Sequence, residues 1–503
     1  GSFYSARVAT GFGRRVRAKL FGRVEAFSLH EFDQVGTASL ITRTTNDTTQ
    51  VQQVLIIILN MMIAAPLNII GGIILALQQD VTLSWVLVAV MPILVLAIII
   101  VMWQALPLFR VMQLKIDKLN LILDEGLTGV RVIRAFDRTD SEGRRFDVAN
   151  LDLTDTAIRV NRITATLMPL MMLVLNVSSV AILWFGAIRI DNGQMKIGAL
   201  IAFLQYAMQI LFSVLMLTMM FIMLPRAAAS ATRINAVLDM APEINDPVEP
   251  ANASERHGVV EFRDVTFSYP GAEEPALANI SFQTSPGKIT AIIGGTGSGK
   301  STLVNLIPRF YDVASGSILV DGVDVRDMTQ ADLRAKIGFV PQRAVLFTGT
   351  VTENVRFGKE DASLDEVREA IDTAQAEEFV SGMDGQLDAF IAQGGTNLSG
   401  GQKQRLSIAR ALVRRPEIYV FDDSFSALDY RTDARLRAAL RPRITNASVF
   451  IVAQRVSTIM DADQIIVLDD GRIAGIGTHR ELMGSSEAYR EIVASQMSEA
   501  EIA

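Results

Sequence analysis

The sequence predicts an α-helical transmembrane domain followed by an α/β domain built around a phosphate-binding loop. Three observations carry this reading: four long apolar runs in the first half, a change near Gly258 to short strands, glycine turns and amphipathic helices, and a glycine-rich loop between a strand and a helix. At 503 residues the chain is too long for one compact domain. Half of its residues are apolar and its net charge is −7, which gives no support to nucleic-acid binding. There is no cysteine, so disulfides, thiol catalysis and cysteine-ligated zinc are excluded. His30, His257 and His479 lie far apart in sequence, and no histidine metal site is expected.

The apolar runs are 54–79, 81–109, 163–188 and 197–224, none with an Asp, Glu, Lys or Arg. Each exceeds the ~20 residues a helix needs to cross a hydrocarbon core of about 30 Å. Their connections alternate in charge. Gln78, Gln79 and Asp80 form a tight link without Lys or Arg, whereas 110–162 holds ten such residues, from Arg110 to Arg162. The leading segment adds Arg14, Arg15, Arg17, Lys19 and Arg23. The positive-inside rule then puts both basic segments in the cytoplasm and loops 78–80 and 189–196 outside, with Arg189 and Lys196 as a mild exception. Within the spans, Asn60, Asn68, Gln104, Asn176, Gln205 and Gln209 are expected to face the bundle interior. Met208, Met216, Met219, Met220 and Met223 are read first as packing and second as a plastic substrate surface.

The basic segments carry interleaved apolar residues and are expected to be helices reaching below the membrane, with a short turn at 29–33 between two longer helices. The expected domains are 1–240 for the membrane part, 241–257 for a linker marked by Pro242, Pro247 and Pro250, 258–485 for the α/β domain and 486–503 for a tail. The chain opens Gly1, Ser2, Phe3, Tyr4 without an initiator methionine or signal peptide, which suggests a missing N-terminal portion.

Strand 289–293 runs into Gly294, Gly295, Thr296, Gly297, Ser298, Gly299, Lys300, Ser301 and Thr302, the phosphate-loop pattern in its strand–loop–helix context. Glycines let backbone N–H groups turn toward phosphate oxygens, Lys300 brings charge to the β/γ-phosphates, and Ser301 offers a hydroxyl to Mg²⁺. The helix start adds a favourable dipole. A second apolar strand ends at Asp422, where such a site holds its magnesium. Asp423 follows, at the position of the carboxylate that orients the attacking water, one methylene shorter than glutamate. Gln454 stands after Ile451, Val452 and Ala453, where a phosphate-sensing histidine is otherwise expected.

Leu398, Ser399, Gly400, Gly401 and Gln402 precede a helical run. With the phosphate loop, this motif makes the chain resemble the ABC transporter family, specifically exporter-type half-transporters that fuse a membrane domain to an α/β P-loop NTPase domain. The resemblance implies ATP and Mg²⁺ as ligands, with the Leu-Ser-Gly-Gly-Gln signature meeting the γ-phosphate held by the opposite subunit. It implies that Tyr269 stacks on adenine, that Gln342 touches Mg²⁺ and relays to the membrane helices, and that Ser301 and Asp422 complete the metal side. It also implies that the loop Ser426, Ala427, Leu428, Asp429 is exchanged across the dimer and that the turns near 29–32 and 126–136 couple the domains. Six membrane helices per half are implied, so the first and most of the second are expected to be absent here.

Asp423 for the catalytic glutamate, Gln454 for the histidine, and Gln393, Gly394 and Gly395 for the usual Gly-Glu-Arg-Gly lead are departures from the family pattern. A positioning error near 1 Å costs ~100-fold in rate, and an amide carries no positive charge. The expectation is the degenerate-site half of a heterodimeric bacterial multidrug-type exporter in the cytoplasmic (inner) membrane, with its α/β domain in the cytoplasm. It would hold its own ATP while hydrolysis proceeds mainly at the partner's site. The expected partners are a second half-transporter, the lipid bilayer and a small-molecule, lipid or peptide substrate. An importer on the same fold and a regulatory nucleotide sensor are the alternatives.

Overall fold

The computed structural model describes residues 2–251 and 257–496, with the side chains of residue 215 and residues 218–222 outside the description. Met219 and Met220 therefore lie outside the described side chains. The chain divides into two compact units, Gly1–Val24 with Ala38–Asp239, and Glu25–Thr37 with Met240–Ala503.

The helices of the first half are α1 (Ser2–Glu25), α2 (Leu29–Val35), α3 (Thr37–Thr42), α4 (Thr48–Gln79), α5 (Ser84–Thr128), α6 (Val130–Ala135), α7 (Thr139–Ala165), α8 (Leu167–Asp191) and α9 (Ile197–Leu238). Among the described residues four segments are long and apolar enough to cross a membrane, and each overlaps one of the four apolar runs. The helices extend well past those runs because the flanking charged segments remain helical, as their interleaved leucines require.

Small residues let these helices approach closely. A Cβ on Gly72 of α4 would lie 2.7 Å from Ile210 of α9, and one on Gly186 of α8 would lie 2.2 Å from Leu200. The packed centre includes Ala76, Leu87, Ile182, Phe203, Ala207 and Ile210. Gln209 donates to Asn68 at 2.9 Å across α4 and α9, and Gln209, Gln104, Asn176 and Gln205 are all exposed on this chain. Arg189 pairs with the buried Asp80 at 2.5 Å, and Asp80 also accepts from the Leu83 N–H. The exception to the positive-inside pattern at Arg189 is thus a neutralised charge.

Helix α2 belongs to the second unit, apart from the segments that flank it in sequence. Ser28 and Glu31 form a capping box, and the buried Glu31 accepts the Glu243 N–H at 2.8 Å. Helix α6, at the other expected coupling turn, has no buried residue, and Phe136 beside it is fully displayed at 73 % exposure.

The second unit contains β1 (Val260–Phe267), β2 (Leu277–Gln283), β3 (Ile289–Gly294), β4 (Ser315–Val320), β5 (Val323–Asp324), β6 (Ile337–Val340), β7 (Gly349–Thr350), β8 (Phe390–Ile391), β9 (Ile418–Asp422), β10 (Ser448–Val452), β11 (Gln464–Asp469) and β12 (Arg472–Gly477). One sheet runs β12–β11–β3–β10–β9–β6, a second runs β2–β1–β4–β5, and β7 pairs with β8. Strands β11, β3, β10, β9 and β6 are mutually parallel and β12 closes the edge antiparallel. Strands β9 and β10 are buried along their whole length, as a doubly covered parallel sheet requires. The sequence boundary at 485 sets helix Glu487–Gln496 outside this domain, yet its Tyr489 and Val493 are buried in the same core.

Candidate functional site

Parallel pairing brings the carboxyl ends of four strands to one edge, where open α/β sheets bind ligands. Val452 is in register with both Asp422 and Ile292, and Val340 with Phe421. The segments that leave these strands therefore emerge side by side: the 294–302 loop after β3, Gln342 after β6, Asp422 and Asp423 at the end of β9, and Gln454 after β10.

The loop 294–302 is shaped for close backbone approach. Gly299 has φ +94°, and a Cβ there would lie 2.8 Å from Leu277 and 2.9 Å from the Ala276 carbonyl, so only glycine fits. Lys300 Nζ donates to the Gly294 carbonyl at 3.0 Å and the Gly295 carbonyl at 2.5 Å. Burial pushes its ammonium below the usual lysine range, and the charges of Asp423 and Asp422 oppose that fall. Ser301 Oγ donates to Asp422 Oδ1 at 2.9 Å. Tyr269 sets its hydroxyl 2.9 Å from Thr302 Oγ1 and its ring edge-on to Phe267 and Tyr311. Thr296, Gly297 and Ser298 complete the turn, and Ser298 is buried.

Asp423 is the centre of the cluster. One oxygen, Oδ2, accepts from Gln454 Nε2 at 2.7 Å and from Gln342 Nε2 at 3.2 Å. Its backbone N–H donates to the Val452 carbonyl at 3.1 Å, and its own carbonyl accepts from Ser426 Oγ at 2.9 Å. Its φ is +46°, a left-handed conformation that Asp and Asn adopt more readily than other non-glycine residues. Burial raises the carboxyl of Asp423 above the usual range, with the bonds from Ser426, Gln342 and Gln454 pulling the other way. Burial likewise raises Asp422, against the bond from Ser301.

Leu398, Ser399, Gly400, Gly401 and Gln402 are built differently. Ser399 caps helix Gly400–Val413 in a capping box with Gln402: the Ser399 N–H donates to Gln402 Oε1 at 2.8 Å and the Gln402 N–H to Ser399 Oγ at 3.3 Å. Leu398 packs against the core, while Ser399 and Gly400 are exposed. Asp429 caps the next helix by accepting the Thr432 N–H at 2.9 Å. These hydrogen bonds stay local; none of them reaches the 294–302 loop.

The unusual lead into the signature has a backbone reason. Gly394 and Gly395 have φ +63° and +65°, two successive left-handed residues, and Lys403 Nζ donates to the Gly394 carbonyl at 2.9 Å. Three further contacts carry no sequence signal. Buried Gln404 donates to the Pro341 carbonyl at 3.2 Å, next to Gln342. Ser424 Oγ donates to the Val340 carbonyl at 3.1 Å. Gln496 grips the backbone around Gln454.

Residues 1–214 match the ABC transporter transmembrane region family, and residues 277–426 match the ABC transporter family. The chain belongs to the ABC transporter family. An uncharacterized ABC transporter ATP-binding protein of Mycobacterium tuberculosis is 46% identical over 98% of this chain and 85% of its own length. An ATP-dependent lipid A-core flippase of Vibrio vulnificus is 32% identical over 96% of this chain and 83% of its length. The structure of a bacterial Atm1-family ABC exporter with ATP bound is similar with a TM-score of 0.82 at 28% identity, covering 98% of this chain and 86% of that one. The chain thus has the ABC exporter fold, a multi-pass membrane region fused to an ATP-binding domain.

Proposed function

We propose that this chain is one half of a heterodimeric exporter that moves a small or amphipathic substrate out across the cytoplasmic membrane of a bacterium. Its own site binds ATP firmly and cuts it slowly. Lys300 and the amides of the 294–302 loop bind the β- and γ-phosphates, and the Tyr269 ring lies against adenine. Ser301, Asp422 and the carbonyl oxygen of Gln342 are the residues for Mg²⁺; their hard oxygen donors suit it, and the Ser301–Asp422 bond already places two of them together. The ion would supply charge neutralisation at the phosphates. The signature at Ser399 serves the partner's nucleotide, and closure of the two domains over both ATP molecules drives the membrane helices.

The observation that carries the slow-site reading is Asp423 Oδ2 shared by two amides. A carboxylate oxygen that accepts two N–H bonds, on a side chain one methylene short, is poorly placed to orient and deprotonate water. Gln454 adds a neutral amide where a cationic group would stabilise developing charge. Ser399 is meanwhile exposed and preorganised as a cap. Similarity to a protein named as a lipid A-core flippase favours an amphipathic substrate.

The test is ATP turnover by the purified full chain, alone and with a second half-transporter that carries glutamate and histidine at the positions of Asp423 and Gln454. Turnover alone is expected to be at least about tenfold below that of the pair, and Asp423→Glu with Gln454→His is expected to raise it. Full-rate hydrolysis by the chain alone, unchanged by Asp423→Glu, would end the proposal.

A further inference from the structure

The loop that carries Gln454 is held from behind by the last described residue of the C-terminal helix. Gln496 Nε2 donates to the Gln454 carbonyl at 2.8 Å, and Gln496 Oε1 accepts the Val456 N–H at 2.9 Å. One planar amide thus bonds both sides of Arg455, as donor to one and acceptor to the other. Two such bonds fix the orientation of the peptide segment as well as its distance.

The helix that presents this amide is firmly seated. Tyr489 and Val493 are 0% and 1% exposed and belong to the core that also contains Phe421, Ile451 and Val456. The Tyr489 hydroxyl lies 2.8 Å from His479 Nδ1, and the two rings meet edge to face. On the other side of the loop, the Ala453 N–H donates to the Ile292 carbonyl at 3.1 Å. The Gln454 backbone therefore sits between a sheet bond and the Gln496 amide. Its side chain is aimed from there at Asp423 Oδ2, 2.7 Å away.

We propose that Gln496 is a positioning residue for this chain's own ATP site. It sets Gln454, and through Gln454 the Asp423 carboxylate, and so governs how long ATP stays clamped on the 294–302 loop. The inference rests on the reading of Asp423 and Gln454 as the γ-phosphate side of that site. A glutamine that merely tied down a helix end would affect stability and leave nucleotide residence independent of Gln454.

The experiment is a double-mutant cycle on the full chain in lipid nanodiscs, reading the dissociation half-time of radiolabelled ATP with Mg²⁺ after a chase of cold ATP. Because Gln496 is exposed, its replacement is expected to leave folding intact, which the melting temperature checks. Gln496→Ala is expected to shorten residence about tenfold, within the coupling range of directly interacting residues. Gln496→Glu is expected to act alike, since its carboxylate oxygen faces the Gln454 carbonyl without a proton to donate. Adding Gln496→Ala to Gln454→Ala is expected to change nothing further. Multiplicative effects of the two substitutions would overturn the proposal, as would an inert Gln496→Ala beside a strong Gln454→Ala. An inert Gln454→Ala overturns the reading of the site itself, and this inference with it.

Discussion

The phosphate-loop face and the Leu398–Gln402 face of the ATP-binding domain are organised in opposite ways. Around Asp423, five polar side chains from four strand ends are bonded to one another or to the neighbouring loop: Lys300, Ser301, Gln342, Asp422 and Gln454. At Ser399, the capping groups bond only within their own helix start, and Ser399 itself is exposed. The first face is bonded to itself across several elements. The second is held only by its own capping box and presented outward. None of these hydrogen bonds joins the two, which is the arrangement the proposed two-subunit reading needs.

Substitutions on each face can break or sharpen that contrast. Lys300→Ala should have the largest effect, lowering ATP retention on this chain ~100-fold, because it removes the cation of the loop; equilibrium binding of labelled ATP measures it. Ser399→Ala should reduce turnover of the paired transporter about tenfold while leaving ATP binding by this chain unchanged. A parallel loss of this chain's own binding would erase the distinction between the faces. The same substitution removes an N-cap and should cost about 1 kcal/mol of stability.

Tyr269→Phe should be milder, losing the Thr302 bond at a cost of about 1 kcal/mol. ATP affinity should fall more for Tyr269→Ala than for Tyr269→Phe, since only the former loses the ring. A change of similar size and opposite sign is expected for Asp423→Asn, which should stabilise the nucleotide-free chain by about 1 kcal/mol by removing a buried charge. Its pH dependence follows from the raised carboxyl. A folded value above the unfolded one contributes stability that is present below the unfolded value and is lost as pH rises through the folded one. The gain of Asp423→Asn over the parent should thus be largest at neutral pH and vanish as the pH falls below the usual aspartate range. A gain that grew on acidification would contradict the burial-driven shift.

Much of this molecule is written in local patterns. Four runs without charge became helices α4, α5, α8 and α9, because hydrophobic length is a one-dimensional property. The turn at 29–33 became α2 with its own capping box. The strand, glycine loop and helix at 289–306 are where the motif requires them, and Asp422 ends its strand. What the patterns did not carry is pairwise. Arg189 looked like a stray positive charge until Asp80, 109 residues earlier, was found beside it. Likewise, Gln209 of α9 meets Asn68 of α4, 141 residues earlier in the chain.

By itself, the sequence determined the two domain types, the membrane lengths, the phosphate loop, the signature and the unusual identities of Asp423 and Gln454. Those are statements about residue type and spacing, set by hydrophobicity, glycine geometry and helix capping. Only the tertiary structure decided that β10 lies between β3 and β9, that Gln342 and Gln454 share one oxygen of Asp423, and that Gln496 stands behind Gln454. Strand order and side-chain convergence depend on long-range pairing, in which residues from 31 positions apart (Asp423 and Gln454) to 160 apart (Ile289 and Val449) become neighbours. No local periodicity records which of the many possible pairings wins.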